Sequence, residues 1–163
     1  MPLFELQYAL EGQTQDKKQR VRVPPPLALR TLGPTLSVIV SVTKEHGANL
    51  IKAGLPIPDS VPGAALIDTG AAITCVDQGV CQALGLRPTG VVMLGHAGGK
   101  EERPCYPIQV HFPGSLPPLY CPSACSIKLA EGKQPHIMLI GRDLLIRLKM
   151  VYNGPQGRIE LAY

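Results

Sequence analysis

Ala64-Ala65-Leu66-Ile67 is an apolar run that stops on a carboxylate, and whatever this chain folds into must provide for Asp68. Small and branched apolar residues in succession read as a buried strand. Burying a lone carboxylate at its end is costly, so the acid needs hydrogen-bond donors, a partner or a chemical task. The next two residues suit the first need. Thr69 supplies a hydroxyl, and Gly70 lets the backbone approach the carboxylate with no side chain in the way.

The rest of the chain is cut into short pieces. With 17 Gly and 17 Pro among 163 residues, no Trp, and only seven Phe or Tyr, it favours short strands and many turns over long helices. One domain is the default at this length. Residues 3–10 alternate like a strand, 11–26 read as a surface loop or arm ending in Pro24-Pro25-Pro26, and 36–42 alternate Ser with branched residues. A connector at 44–63 holds a short helix near 46–53. Asp77 is a helix N-cap, Gln78 to Leu84 a short helix, and Gly85 its stop. Val91–Leu94 and Tyr106–Phe112 flank the glycine-rich Gly95-His96-Ala97-Gly98-Gly99 and form a hairpin. A further strand is expected within 116–129, a turn at 130–135, and a buried strand at Ile137–Ile140. Gly141-Arg142-Asp143 ends that strand, and apolar residues at 144, 145, 148 and 151 then have helical spacing. Asn153-Gly154 and Gly157 separate the two strands of a terminal hairpin.

The charge excludes more than it suggests. Sixteen basic against twelve acidic residues leave +4, with the basic residues scattered and few aromatics beside them, which is no nucleic-acid footprint. The densest group, Lys17, Lys18, Arg20 and Arg22, reads as a solvated loop. No apolar run approaches the ~20 residues of a membrane helix, so no membrane partner is expected. Met1-Pro2-Leu3-Phe4 begins without a basic, then apolar, leader, and five cysteines is an odd number. The expectation is a cytoplasmic protein with reduced thiols: Cys75, Cys81, Cys105, Cys121 and Cys125 as small buried apolar residues or free thiols. Their spacing does not make a zinc site, and no metal is expected. Cys75, seven residues after Asp68, suggests redox-sensitive activity, and five cysteines in a small chain give a redox thiol protein as a third reading. His96 reads as an exposed loop residue, and His111 and His136 as ordinary strand or loop residues.

Three features in order give the chain a likeness. Ala65-Leu66-Ile67-Asp68-Thr69-Gly70-Ala71 resembles the active-site element of the retropepsin-like aspartic proteases. The glycine-rich tip at 95–99 lies where that family keeps its flap, and Leu139-Ile140-Gly141-Arg142-Asp143-Leu144-Leu145 resembles its downstream Gly-Arg-Asn/Asp element. The resemblance spans about residues 35–163. The long connector and the final hairpin are similar to the bacterial single-domain members. Residues 1–34 then form an N-terminal strand and a basic, proline-rich arm. Two positions depart from the retroviral pattern. Ala72 replaces an acid that pairs with the arginine, leaving Arg142 to find Asp143, another carboxylate or a backbone carbonyl, and the flap tip lacks a bulky apolar residue.

The resemblance implies an all-β, single-lobe acid-protease fold: a closed barrel with a flap hairpin and one or two short helices. It implies an aspartic endopeptidase (a hydrolase) with no cofactor. That chemistry needs two carboxylates sharing one proton, and this chain carries a single Asp-Thr-Gly, so catalysis implies a C2 homodimer with Asp68 from each subunit at the axis. Asp68, Thr69 and Gly70 are the implied catalytic element. Ala71, Ala72, Met93, Leu94, Gly95, His96, Ala97, Gly98 and Leu139 line the implied cleft for a peptide or protein substrate, and Arg142 and Asp143 support it. The alternative is a non-catalytic dimeric peptide-binding module on the same fold.

Overall fold

The computed structural model describes residues 3–8, 10–13, 20–96 and 99–163. Twelve strands and four helices follow in chain order among them. These are β1 (Leu3–Gln7), β2 (Leu10–Gln13), β3 (Arg20–Val23), α1 (Pro25–Leu32), β4 (Thr35–Ser41), α2 (Lys44–Lys52), β5 (Val61–Ile67) and β6 (Cys75–Asp77). Then come α3 (Gln78–Ala83), β7 (Gly90–His96), β8 (Gly99–His111), β9 (Leu119–Ile127), β10 (Met138–Ile140), α4 (Arg142–Leu145), β11 (Lys149–Asn153) and β12 (Arg158–Ala162).

Strand dominates, and the main sheet returns on itself. Its order is β4-β5-β10-β6-β9-β8-β7, and β4 also pairs with the far end of β8 through Ile39↔His111, Val40↔Val110 and Ser41↔Gln109. Six strands therefore form a ring, and β7 stands outside it, held by β8. β8 is long enough to serve three partners: β7 along its first half, then β9, then β4 at its end. A separate sheet, β1-β12-β11, joins the two ends of the chain.

The larger of two core clusters is built on β4 and its neighbours. Leu36, Val38 and Val40 of β4 alternate with outward Ser37 and Ile39, the period-two pattern of a strand with one buried face. Ala65, Ile67, Ile108, Val110, Met138 and Ile140 join them, with Ile159 and Leu161 of β12. A smaller cluster gathers Cys75, Cys105 and Cys125, with Ile73, Val92, Leu94, Ile127 and Leu139 packed on it. All five cysteines are reduced and buried.

The strands expected at 36–42, 64–67, 137–140, within 116–129 and in both hairpins are present, as are the helices near 46–53 and 78–84. Three expectations are corrected. The described residues hold four helices, not one or two. The stretch read as a loop or arm contains the paired strands β2 and β3 and the start of α1, while Lys17 and Lys18 lie outside the described residues. The helical spacing after Asp143 yields a single turn, because Lys149 already pairs with Ala162.

Candidate active site at the Asp68 loop

β5 runs parallel to β10, so both strands deliver their C-terminal ends to the same place. One end carries Asp68-Thr69-Gly70 and the other Gly141-Arg142-Asp143. The ladder continues one step past β5, where Asp68 N–H donates to Ile140 O at 2.9 Å. The chain then turns back, with Ala71 N–H donating to Asp68 O at 3.2 Å.

The Asp68 carboxylate is half-buried and held by backbone alone. Its Oδ1 accepts from Gly70 N–H at 2.9 Å and Ala71 N–H at 3.2 Å. A Cβ on Gly70 would sit 3.1 Å from that oxygen, a tight contact that glycine avoids. Among the described residues Oδ2 takes no hydrogen bond. One oxygen is thus fixed by two N–H dipoles, and the other is open to a proton, a water or a second acid.

The Gly141–Asp143 segment grips this loop from outside. Arg142 N–H donates to Ala71 O at 3.0 Å. The Arg142 guanidinium donates from one nitrogen to Thr69 O at 2.7 Å and Gly70 O at 3.0 Å. Of the partners open to Arg142, the backbone carbonyls are the ones it takes, and an acid at position 72 is not needed to hold it. Gly141 crosses so close that a Cβ there would lie 2.5 Å from the Ile73 carbonyl carbon. Asp143 Oδ1 accepts from Thr74 N–H at 2.9 Å, Thr74 Oγ1–H at 2.7 Å and Leu144 N–H at 2.9 Å.

Thr74 is the residue that the sequence reading missed. It is fully buried, and its hydroxyl donates to Asp143 while accepting from Gly141 N–H at 3.0 Å. The available signal was a hydroxyl amino acid inside an otherwise apolar run, which must find partners when buried.

The remaining expected residues divide. Thr69 and Gly70 are exposed, and the Thr69 hydroxyl has no hydrogen bond among the described residues. Ala71 is half-buried and Ala72 exposed. Leu139 is half-buried, in register with Leu66 on one side and Cys75 on the other, and it shares the thiol cluster with Leu94 of the hairpin. Met93 points the other way and is 56% exposed, and Gly95 is exposed. His96 pairs with Gly99 through the backbone. The His96 side chain, Ala97 and Gly98 lie outside the described residues. Among those described, no group of three or more His, Cys, Asp or Glu is arranged to hold a metal ion, and no helix is long and apolar enough to cross a membrane.

No protein-family model matches this chain, and no curated protein matches it.

Proposed function

We propose that this chain is an aspartic endopeptidase of the retropepsin-like type, a single lobe that acts as a C2 homodimer. The observation that carries the reading is the Asp68 carboxylate itself: one oxygen pinned by Gly70 and Ala71, the other open, in a loop clamped by Gly141-Arg142-Asp143. The ring-like sheet with its projecting hairpin, and the exposed, unbonded Thr69, support it.

Two Asp68 residues meet at the axis in this reading. Like charges a few ångströms apart resist ionising together, so the pair shares one proton and titrates as a unit. The ionised member takes a proton from a water held between them. That water attacks the scissile carbonyl, which the protonated member polarises. Backbone donors suit this task because they hold the carboxylate geometry without adding a competing titratable group. Thr69 links the two loops across the axis. An extended substrate lies between the floor, with Leu139, and the hairpin, with Leu94, pairing as a strand.

The test is cleavage of a peptide library by the wild type and by Asp68→Asn, beside sedimentation. Cleavage lost in Asp68→Asn and confined to dimer is the expected result. Cleavage surviving Asp68→Asn overturns the protease reading, and activity in a strict monomer overturns the shared pair. A dimer that binds peptides without cutting them establishes the binding module instead.

A further inference from the structure

A single row of side chains crosses the main sheet. Leu139 of β10 is opposite Cys75 of β6, Cys75 is opposite Cys125 of β9, and Cys125 is opposite Cys105 of β8. Residues directly opposite on neighbouring strands share a face of the sheet, so three thiols lie side by side. They form a cluster of their own, separate from the main core. Two of them are anchored through weak bonds to carbonyls, Cys75 Sγ to Ile73 O at 3.7 Å and Cys105 Sγ to Arg103 O at 4.0 Å.

The strand order decides which thiols can join. Adjacent strands lie about 4.8 Å apart, inside the Cα separation of about 4.4–6.8 Å that a disulfide accepts. Cys125 is on the middle strand, so it meets that condition with both neighbours. Cys75 and Cys105 are two strand spacings apart, about 9.6 Å, which is beyond reach without moving backbone. Cys125 is therefore the obligatory member of any bond in the row.

Electrostatics set the order of reaction. The hydrogen bond from the Cys125 thiol holds the Cys75 thiol below the ordinary value. The same hydrogen bond, with burial, pushes Cys125 up. The thiolate is the nucleophile toward peroxides, so Cys75 reacts first. It is also the most exposed of the three, at 4% against 1% for Cys105 and none for Cys125.

We propose that Cys75, Cys125 and Cys105 form a two-electron oxidation site for hydrogen peroxide, with Cys125 the compulsory partner in the disulfide. Cys75 sulfur attacks the O–O bond and takes one oxygen as a sulfenic acid, and the other oxygen leaves as water. Cys125 sulfur then attacks the Cys75 sulfur and displaces the second water. Two thiols and one hydrogen peroxide give one disulfide and two waters. Cys105 can exchange onto Cys125 and release Cys75. The Asp143 and Asp68 charges oppose the Cys75 thiolate without outweighing the Cys125 hydrogen bond, and neither carboxylate takes part in this chemistry.

The native protein is treated with excess hydrogen peroxide, quenched in acid, and its thiols counted and disulfides mapped by mass spectrometry. Free thiols fall from five to three per chain, with the bond at Cys75–Cys125 or Cys105–Cys125. In Cys125→Ala no intramolecular disulfide forms, and Cys75 is trapped by dimedone as its sulfenic acid. Where that variant does not fold, mapping of the wild type decides alone. A Cys75–Cys105 bond, a bond to Cys81 or Cys121, a bond between chains, or no loss of thiols overturns the proposal.

Discussion

Thr74 holds the two halves of the site together with one hydroxyl, and its replacement makes the sharpest residue-level test. Thr74→Val keeps the shape but leaves the Gly141 N–H buried without an acceptor and strips a donor from Asp143. The expected loss is about 2 kcal/mol of stability, read from urea unfolding, whereas Thr74→Ser loses under about 1 kcal/mol. Gly141→Ala is worse placed. Its new methyl meets the Ile73 backbone, which cannot swing aside as a side chain would. A loss of about 2–3 kcal/mol is expected, with Gly141→Ala far more harmful than Gly90→Ala, where nothing lies within contact and φ is not positive. Asp68 and Gly141 were legible in the sequence because each breaks an apolar run, and a break in a pattern is visible locally. Thr74 was not. Its partners are 67 and 69 residues away, and only the antiparallel pairing of β6 with β10 brings them together.

At the scale of elements, β strands announced themselves and the N-terminal helix did not. Pro24-Pro25-Pro26 suggests an extended arm, yet Pro25 opens α1, where a missing N–H costs nothing and the fixed φ suits the first turn. What makes it a helix is packing: Ala28 and Leu29 are fully buried in the core cluster. Leu29→Ala should cost about 2–5 kcal/mol, measured by urea unfolding, and a value near zero would mean that α1 does not dock. The turn after Asp143 failed as a long helix for the mirror reason. Its apolar spacing is helical, but β12 recruits Lys149 into a ladder, and tertiary pairing overrides local pattern. β1 makes the same point about the ends of the chain. It covers β12, whose Ile159 and Leu161 are fully buried, so removing residues 1–8 is expected to lower the thermal midpoint sharply. An unchanged midpoint would show that β1 is dispensable to the fold.

The whole molecule has a stability window set by groups buried in uncharged form. Burial pushes the Cys81 thiol up to about 11 and the Cys121 thiol up to about 12, from 9.0. Tyr8 is shifted in the same direction, first by burial. Above pH 9 the unfolded chain therefore releases protons that the folded chain retains, and stability falls as pH rises toward the folded values. His136 is the opposite case. Burial lowers it from 6.5, so below that pH the unfolded chain takes up a proton that the folded chain refuses, and stability falls on acidification. The urea midpoint should be highest between roughly pH 7 and 9 and fall on both sides. A midpoint level through pH 10.5 would contradict the alkaline half, and Cys81→Ala should make that arm shallower. A mostly β fold was foreseeable from short strands and Gly/Pro punctuation, whereas closure of the sheet was expected only from the resemblance. The feature that strand patterns could not show is that β8 belongs to two objects at once. Its last residues are built into the ring between β9 and β4, while its first residues carry only β7. A beam fixed at one end and free at the other is a cantilever, and its bending concentrates at the root. Here the root lies at Cys105, beside the bulge between Tyr106 and Ile108. Beyond that root the hairpin also rests on the thiol cluster through Val92 and Leu94, and it is expected to swing as one piece about Cys105 while the ring stays shut. Amide exchange along this single strand should step from fast to slow at that point.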